Sequence, residues 1–193
     1  GVKAHFHLPE VDLSRLSGPF IVISNHQSLI DTLLLCVAGW KLKQTQARWF
    51  LKEEVWYILP IALAAYVTKC GFLSRKGKGS GDNQVVIDCA RQARLDGANV
   101  HLFYEGGRFK GAEPGAKRQF VADPRWGAWI ATLKEMPDAD VLAGMISWGG
   151  AQPGMPFGRT LREAALAFVG NTLEVTIEYV PRSVVDADPQ YLE

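Results

Sequence analysis

The fold class is decided by the stretch from Gly71 to Tyr104, which reads GFLSRKGKGSGDNQVVIDCARQARLDGANVHLFY. Its first residues, Gly71 to Leu73, form a brief apolar segment that predicts a strand. The segment from Asp82 to Arg94 carries apolar residues at helical spacing, and Gly97 ends it. A second apolar run, Val100 to Tyr104, predicts another strand. Strand, helix and strand in this order form a β-α-β unit, which favours parallel pairing.

The same alternation continues on both sides of this unit. Further strands are predicted at Phe20–Ser24, Arg48–Leu51, Val141–Ser147 and Leu173–Val180, and further helices at Leu29–Val37, Glu54–Thr68 and Trp126–Lys134. Pro60 predicts a break or kink in the helix over 54–68. A chain of 193 residues fits one domain. The sequence therefore predicts a single α/β domain over 1–193, with a central, mostly parallel β-sheet flanked by helices.

Composition and charge argue against two classes of protein. The formal net charge is +1, so no large basic field is present and nucleic-acid binding is not expected. The uncharged, mostly apolar stretch from Val55 to Thr68 has 14 residues, whereas a helix needs roughly 20 apolar residues to span a bilayer. Three uses of the segment Val55–Val67 stay open: lining an apolar groove, entering a membrane interface and packing in the core. Because the sequence starts at Gly1 rather than Met, a fragment lacking an N-terminal anchor is one interpretation.

The first candidate site is Asn25-His26-Gln27-Ser28-Leu29-Ile30-Asp31, directly after a predicted strand. On one interpretation, His26 is a general base and Asp31, in the first helical turn, holds its imidazole ring. Open α/β sheets place sites at such strand-to-helix junctions. On the other interpretation, Ser28 and Asp31 form a capping box before an apolar helix, and the carboxylate is structural. The residues alone leave both interpretations open.

The second candidate site is Phe103-Tyr104-Glu105-Gly106-Gly107-Arg108, again at the end of a predicted strand. Two successive glycines permit a sharp turn or a close approach of the backbone to a ligand. The planar guanidinium of Arg108 suits a phosphate group. The alternative is an exposed turn with two solvated charges.

The third candidate site is the basic loop from Gly71 to Gly79, in which Arg75, Lys76 and Lys78 place three cations within four residues. A surface loop without function is the alternative interpretation of such a composition. The loop is not a nucleotide-binding P-loop, because Gly79 stands where serine or threonine is required. The chain also lacks a Gly-x-Ser-x-Gly nucleophile elbow.

These three elements, in this order, resemble the glycerolipid acyltransferases of the lysophosphatidic acid acyltransferase family. That family has an Asn-His-x-x-x-x-Asp block, a glycine-to-arginine block and a Phe-Pro-Glu-Gly-Thr-Arg block. The matching segments here are Asn25–Asp31, Gly71–Arg75 and Phe103–Arg108. Two positions depart from the pattern: Tyr104 replaces the usual proline, and Gly107 replaces threonine or serine.

The resemblance implies a glycerol-3-phosphate acyltransferase-like fold and an enzyme of phospholipid biosynthesis. Such an enzyme moves a fatty acyl group from acyl-coenzyme A or acyl carrier protein to a lysophospholipid hydroxyl, with 1-acylglycerol-3-phosphate as the first candidate acceptor. The resemblance implies His26 and Asp31 as the catalytic residues. It implies phosphate or substrate binding by Arg75, Glu105, Gly106, Gly107 and Arg108, to which charge alone adds Lys76. It also implies an enzyme at the membrane surface, on the cytoplasmic face of a bacterial inner membrane.

No cofactor is expected beyond the acyl donor, and no metal. His5 and His7 alternate near the N-terminus, but two histidines without further ligands seldom hold a metal ion. Two alternative functions stay open. One is a non-catalytic lipid- or phosphate-binding module on the same fold, and the other is an acyl-thioester hydrolase.

Overall fold

A computed structural model describes residues 3–13, 16, 18–28, 30–44, 46–74, 81–106, 109–112, 121, 125–149 and 172–187. The strands in this part of the chain are β1 (Lys3–His7), β2 (Ile21–Ser24), β3 (Ala47–Lys52), β4 (Gly71–Leu73), β5 (Asn99–Phe103), β6 (Val141–Trp148) and β7 (Thr172–Val180). The helices are α1 (Asp31–Lys41), a 3-10 helix (Glu53–Tyr57), α2 (Leu59–Val67), α3 (Asp82–Asp96), α4 (Trp126–Glu135) and α5 (Arg182–Ala187). Strands and helices alternate over most of the chain, as the sequence predicts.

The seven strands form one sheet in the order β1-β7-β6-β2-β5-β3-β4. Every pairing is parallel except that between β6 and β7, which is antiparallel. The prediction of a mostly parallel central sheet is therefore confirmed. In a parallel sheet the carboxyl ends of the strands share one edge, and sites tend to form there. Strands β2, β3 and β5 all end at that edge.

Helices cover both faces of the sheet, and successive side chains of β2 pack against helices on opposite faces. Val22 packs with Leu35 of α1 in one apolar cluster. Ile21 and Ile23 point to the opposite face and pack with Ala90 of α3 in a second cluster. Because β2 is buried on both faces, it reads as a continuous apolar run rather than an alternating one. Its position between β5 and β6 makes it the centre of the sheet.

Two elements were not predicted from the sequence. Strand β1 lies at the edge of the sheet, pairs in parallel with β7, and is mostly exposed, and its five residues include no β-branched side chain that would mark it as a strand. Helix α5 is only six residues long. The predicted helix over 54–68 is divided into the 3-10 helix and α2, with Pro60 in the first turn of α2. That position suits proline, because its missing N–H is not needed there.

The segment containing the 3-10 helix and α2 is apolar but poorly covered. Only Ala62 and Ala65 of α2 are buried, whereas Tyr57 is 90% exposed and Leu59 is 77% exposed. Of the three uses left open for this segment, packing in the core does not apply to most of its side chains. No helix in the ranges given above is both long and apolar enough to cross a membrane.

Candidate active site

The turns after β2 and β5 lie side by side at the carboxyl edge of the sheet. The two strands pair in parallel with Ser24 opposite Phe103, so the residues that follow them leave the sheet together. The Tyr104 N–H donates to the Ser24 carbonyl at 3.1 Å. The backbone N–H of His26 donates to Oε1 of Glu105 at 3.3 Å. Two sequence blocks separated by 79 positions therefore meet in one place.

Asp31 holds the ring of His26. Its Oδ2 atom lies 3.1 Å from Nδ1 of His26, and the same oxygen accepts the backbone N–H groups of Gln27 and Ser28, each at 2.7 Å. An ionised carboxylate only accepts hydrogen bonds, so Nδ1 carries the ring proton. Nε2 is then the basic nitrogen, and it makes no hydrogen bond to any residue that the structure describes.

The same contacts show which hydrogen bonds of the predicted capping box are formed. Oδ2 of Asp31 accepts the N–H of Ser28, which is the return bond that a capping box requires. The outward bond is weak, since Ser28 Oγ lies 3.4 Å from the N–H of Ile30, and α1 has no side-chain cap at Ile30. The carboxylate thus stabilises the turn and orients His26 at the same time. Each interpretation of Asp31 predicts one of these two contacts, and the structure contains both.

Strand β6 supports this turn from the other side. The side chain of Asn25 is fully buried and pairs with Ile146 in both directions, donating from Nδ2 at 2.8 Å and accepting at Oδ1 at 2.7 Å. At the end of β6, Nε1 of Trp148 donates to Oδ1 of Asp31 at 3.2 Å. The side chain of Asp31 is completely buried. Because both carboxylate oxygens accept hydrogen bonds, these bonds offset the free-energy cost of burying the carboxylate.

Aromatic rings form the back of the site. The His26 imidazole stacks on the ring of Phe103, with centroids 3.8 Å apart and planes at 10°. Trp49 of β3 lies behind Phe103, with their centroids 5.8 Å apart. The His26 side chain remains 15% exposed. The imidazole is therefore covered on one face and held at Nδ1.

Glu105 and Gly106 form the turn after β5. Glu105 is 3% exposed and its Oε1 accepts the His26 N–H, so it fixes one turn against the other. Gly106 has φ of +66°, a left-handed conformation that favours glycine. The other predicted phosphate-binding residues, Arg75, Lys76, Gly107 and Arg108, lie outside the described residues. Ser74 lies between β4 and Arg75. Its backbone N–H donates to Oδ1 of Asp82 at 2.9 Å.

Sequence reasoning missed several supporting residues. Trp148 acts through a partner 117 positions away. Asn25 belongs to the first block but was given no role, because its partner is 121 positions away. No local spacing reveals either contact. The alternation of β6 is the available signal, since it places Ile146 and Trp148 on one face. His101 was also missed: its ring lies against Trp49, with centroids 4.2 Å apart. Burial lowers the pKa of His101 to about 3.

No metal centre is visible in the described ranges, where no three His, Cys, Asp or Glu side chains are grouped to hold an ion. His5 and His7 lie on the exposed edge strand β1.

Comparisons with known proteins bear on this geometry. A protein-family model described as "Acyltransferase" matches residues 4–142. No curated protein sequence matches the chain. The crystal structure of the 1-acyl-sn-glycerophosphate (LPA) acyltransferase PlsC from Thermotoga maritima is similar, with a TM-score of 0.58 and 19% sequence identity over 98% of this chain and 68% of that one. At this identity the likeness shows a shared fold. The family match covers most of the chain and includes both turns of the site, and the chain therefore belongs to the acyltransferase family.

Proposed function

We propose that this protein transfers a fatty acyl group from an acyl thioester, carried by coenzyme A or acyl carrier protein, to the hydroxyl of a lysophospholipid. The first candidate acceptor is 1-acylglycerol-3-phosphate, the substrate named for the T. maritima structure. One observation carries the proposal: the 3.1 Å contact between Nδ1 of His26 and the buried carboxylate of Asp31. This contact leaves Nε2 as an oriented base.

In the proposed reaction, Nε2 of His26 accepts the proton of the acceptor hydroxyl while its oxygen attacks the thioester carbonyl carbon. The negative charge of Asp31 stabilises the imidazolium that forms and keeps its orientation. As the tetrahedral intermediate collapses, the carbon–sulfur bond breaks and the imidazolium returns the proton to the thiolate. The hydroxyl is the nucleophile, so no acyl-enzyme intermediate on serine or cysteine is required.

Binding of the acceptor phosphate is proposed for Arg75 and Arg108 with Lys76 as a further cation, on the strength of the family blocks. Glu105 and Gly106 contribute differently. The carboxylate of Glu105 accepts the His26 N–H at 3.3 Å, which supports a role in orienting the base, the acceptor or an arginine. Gly106 and Gly107 are proposed as substrate-binding residues on the strength of the same family block.

The same proposal places the protein at the surface of a membrane, on the cytoplasmic face of a bacterial inner membrane. Its support is the apolar segment that follows β3, which ends at the same sheet edge as the strand before His26. The exposed large side chains of this segment are Trp56, Tyr57, Ile58, Leu59, Ile61, Leu63, Tyr66 and Val67. A large exposed apolar patch is typical of an interaction surface. Beside a site for lipid substrates, a lipid surface is the partner that fits it.

Product analysis tests the function. Purified protein is incubated with acyl-coenzyme A or acyl carrier protein donors, with and without a panel of lysophospholipids, and the products are identified by mass spectrometry. We expect a diacyl product that requires the acceptor. Free fatty acid formed equally without acceptor would indicate a thioester hydrolase, and substrate binding without any product would indicate a binding module; either result contradicts the proposal.

Vesicle flotation tests the membrane surface. We expect the protein to float with vesicles containing anionic phospholipid, and the double substitution Tyr57→Ser with Leu59→Ser to weaken binding at least about tenfold, since each buried apolar side chain contributes about 1.5–3 kcal/mol. The control is Leu95→Ser, because Leu95 is 74% exposed but belongs to α3 and not to this segment. Equal vesicle binding by the double variant and the control variant would exclude this surface.

A further inference from the structure

Arg125 is a cation at the candidate site that none of the sequence motifs contains. It directly precedes α4, and its backbone N–H donates to the carbonyl oxygen of Tyr104 at 2.7 Å. Its side chain lies on Gly106: a Cβ atom placed on that glycine would be 2.7 Å from Cδ of Arg125 and 3.5 Å from its Cγ. Both the backbone and the side chain of Arg125 therefore contact the turn after β5.

This contact gives a second reason why glycine is required at position 106. The φ of +66° already favours glycine, and the closeness of the Arg125 stem leaves no room for a side chain. The guanidinium group is bonded to Cδ, so it lies close to the turn as well. The neighbouring residue, Glu105, contacts the backbone of His26 at 3.3 Å. The cation of Arg125 is thus attached to the same turn that meets the proposed base.

Arg125 differs from the other described arginines because its guanidinium group has no carboxylate partner in the described ranges. Four of them pair with carboxylates: Arg48 with Asp96, Arg91 with Glu135, Arg94 with Asp138 and Arg182 with Asp186. Arg125 makes no ion pair or side-chain hydrogen bond within the described ranges, and it is exposed. An arginine whose stem is fixed by packing, but whose charge has no carboxylate, is suited to bind an anion from solution.

We propose that Arg125 binds the phosphate monoester of the acceptor, an inference that rests on the proposed acyl transfer to a phosphate-bearing lysolipid. The planar guanidinium donates two parallel hydrogen bonds to a phosphate. Placed beside the turn of Glu105 and Gly106, it holds the phosphate on C3 of the acceptor while the hydroxyl on the neighbouring C2 reaches Nε2 of His26. Arg125 therefore selects acceptors with a phosphate over neutral acceptors.

The test compares Arg125→Met with Arg125→Lys. Both replacements keep an unbranched stem over Gly106, but only lysine keeps the charge. We expect Arg125→Met to raise the KM for 1-acylglycerol-3-phosphate about tenfold or more, the loss expected for a charge-assisted hydrogen bond. The KM for 1-acylglycerol, which lacks the phosphate, and the KM for the acyl donor should change less than about twofold. Arg125→Lys should fall between wild type and Arg125→Met, because it keeps the charge without the planar fork.

Arg94→Met serves as the control for loss of a surface cation, because Arg94 pairs with Asp138 away from the site. An unchanged KM for the phosphate-bearing acceptor, an equal rise for both acceptors, or a rise for the donor alone would overturn the inference. Calorimetric binding of glycerol 3-phosphate, lost in Arg125→Met and kept in Arg94→Met, reports on Arg125 independently of turnover. A different result would show that the proposed function itself is wrong: the wild-type protein would then transfer no acyl group to any acceptor.

Discussion

His26 and His101 lie on the same side of the sheet, and each packs against an aromatic ring, yet their surroundings differ. His26 stacks on Phe103, has the Asp31 carboxylate at Nδ1, and is 15% exposed. His101 packs on Trp49, is only 5% exposed, and its Nδ1 has no hydrogen-bond partner among the described residues. Burial without a partner lowers the pKa of His101 to about 3. A carboxylate and an opening to solvent distinguish a candidate base from a core histidine.

The largest expected effect comes from removing the charge of Asp31, the group that distinguishes the two histidines. Asp31→Asn should lower the rate of acyl transfer by about 10²- to 10⁴-fold, because a neutral amide no longer stabilises the imidazolium. It should also lower stability by about 1–3 kcal/mol, since the amide places N–H donors against the donors of Trp148 or of the turn. Transfer rates and urea unfolding measure the two effects.

A double variant separates these two consequences. Trp148→Phe removes the indole donor that faces Oδ1 of Asp31, so Asp31→Asn with Trp148→Phe has room for the amide group. We expect Trp148→Phe to cost less stability in the Asp31→Asn background than in the wild type, and to restore no activity there. If it transfers acyl groups as fast as Trp148→Phe, the carboxylate is a helix cap and nothing more.

The next effect concerns His101 and the dependence of stability on pH. Folding lowers its pKa from 6.5 to about 3, so between these values the unfolded chain binds a proton that the folded chain does not. The folded state therefore loses about 1.4 kcal/mol of stability from this group for each pH unit below the unfolded value. At pH 5 the loss from this group is about 2 kcal/mol relative to neutral pH.

His101→Phe tests this contribution, because it keeps a ring against Trp49 and cannot titrate. Urea unfolding at pH 7.5 and pH 5.0 should show that the variant loses about 2 kcal/mol less than wild type between the two conditions. Its acyl transfer rate at neutral pH should stay close to wild type. An equal loss of stability in both proteins would show that His101 is not held neutral by the fold.

The smallest effect is expected for Trp148→Phe alone. It leaves Oδ1 of Asp31 without its donor, so transfer should slow by a few-fold, roughly the effect of about 1 kcal/mol. The matched control is Trp129→Phe, because Trp129 is similarly buried, at 4% exposed, but packs on the opposite face of the sheet. Both variants should lose packing energy. If they also retain equal activity, the indole of Trp148 does not support the site.

The sequence was sufficient where local patterns carry the structure. The apolar run of β2 and the helical spacing of α3 are local, and so is the five-residue spacing that brings His26 and Asp31 into contact within one turn. The sequence was insufficient where the signal is absent or distant. Strand β1 is exposed on the edge, and its five residues include no β-branched side chain.

The supporting contacts illustrate the distant case. The hydrogen bond from Trp148 to Asp31 depends on the order of strands in the sheet. The packing of Arg125 on Gly106 joins the start of α4 to the turn after β5, a contact that no local spacing predicts. Sequence motifs identify residues that are close along the chain, and the pairing of β6 with β2 determines which distant residues join them. The outcome for Arg75, Lys76, Gly107 and Arg108 stays a prediction, because these residues lie outside the described ranges.

The most direct test of the central claim is the acyl transfer rate of His26→Ala measured beside that of His101→Phe. If His26 is the base, His26→Ala loses about 10²- to 10⁴-fold in rate at neutral pH while remaining folded, and His101→Phe stays close to wild type. Transfer by His26→Ala at the wild-type rate would contradict the assignment, however well the ring and carboxylate are placed.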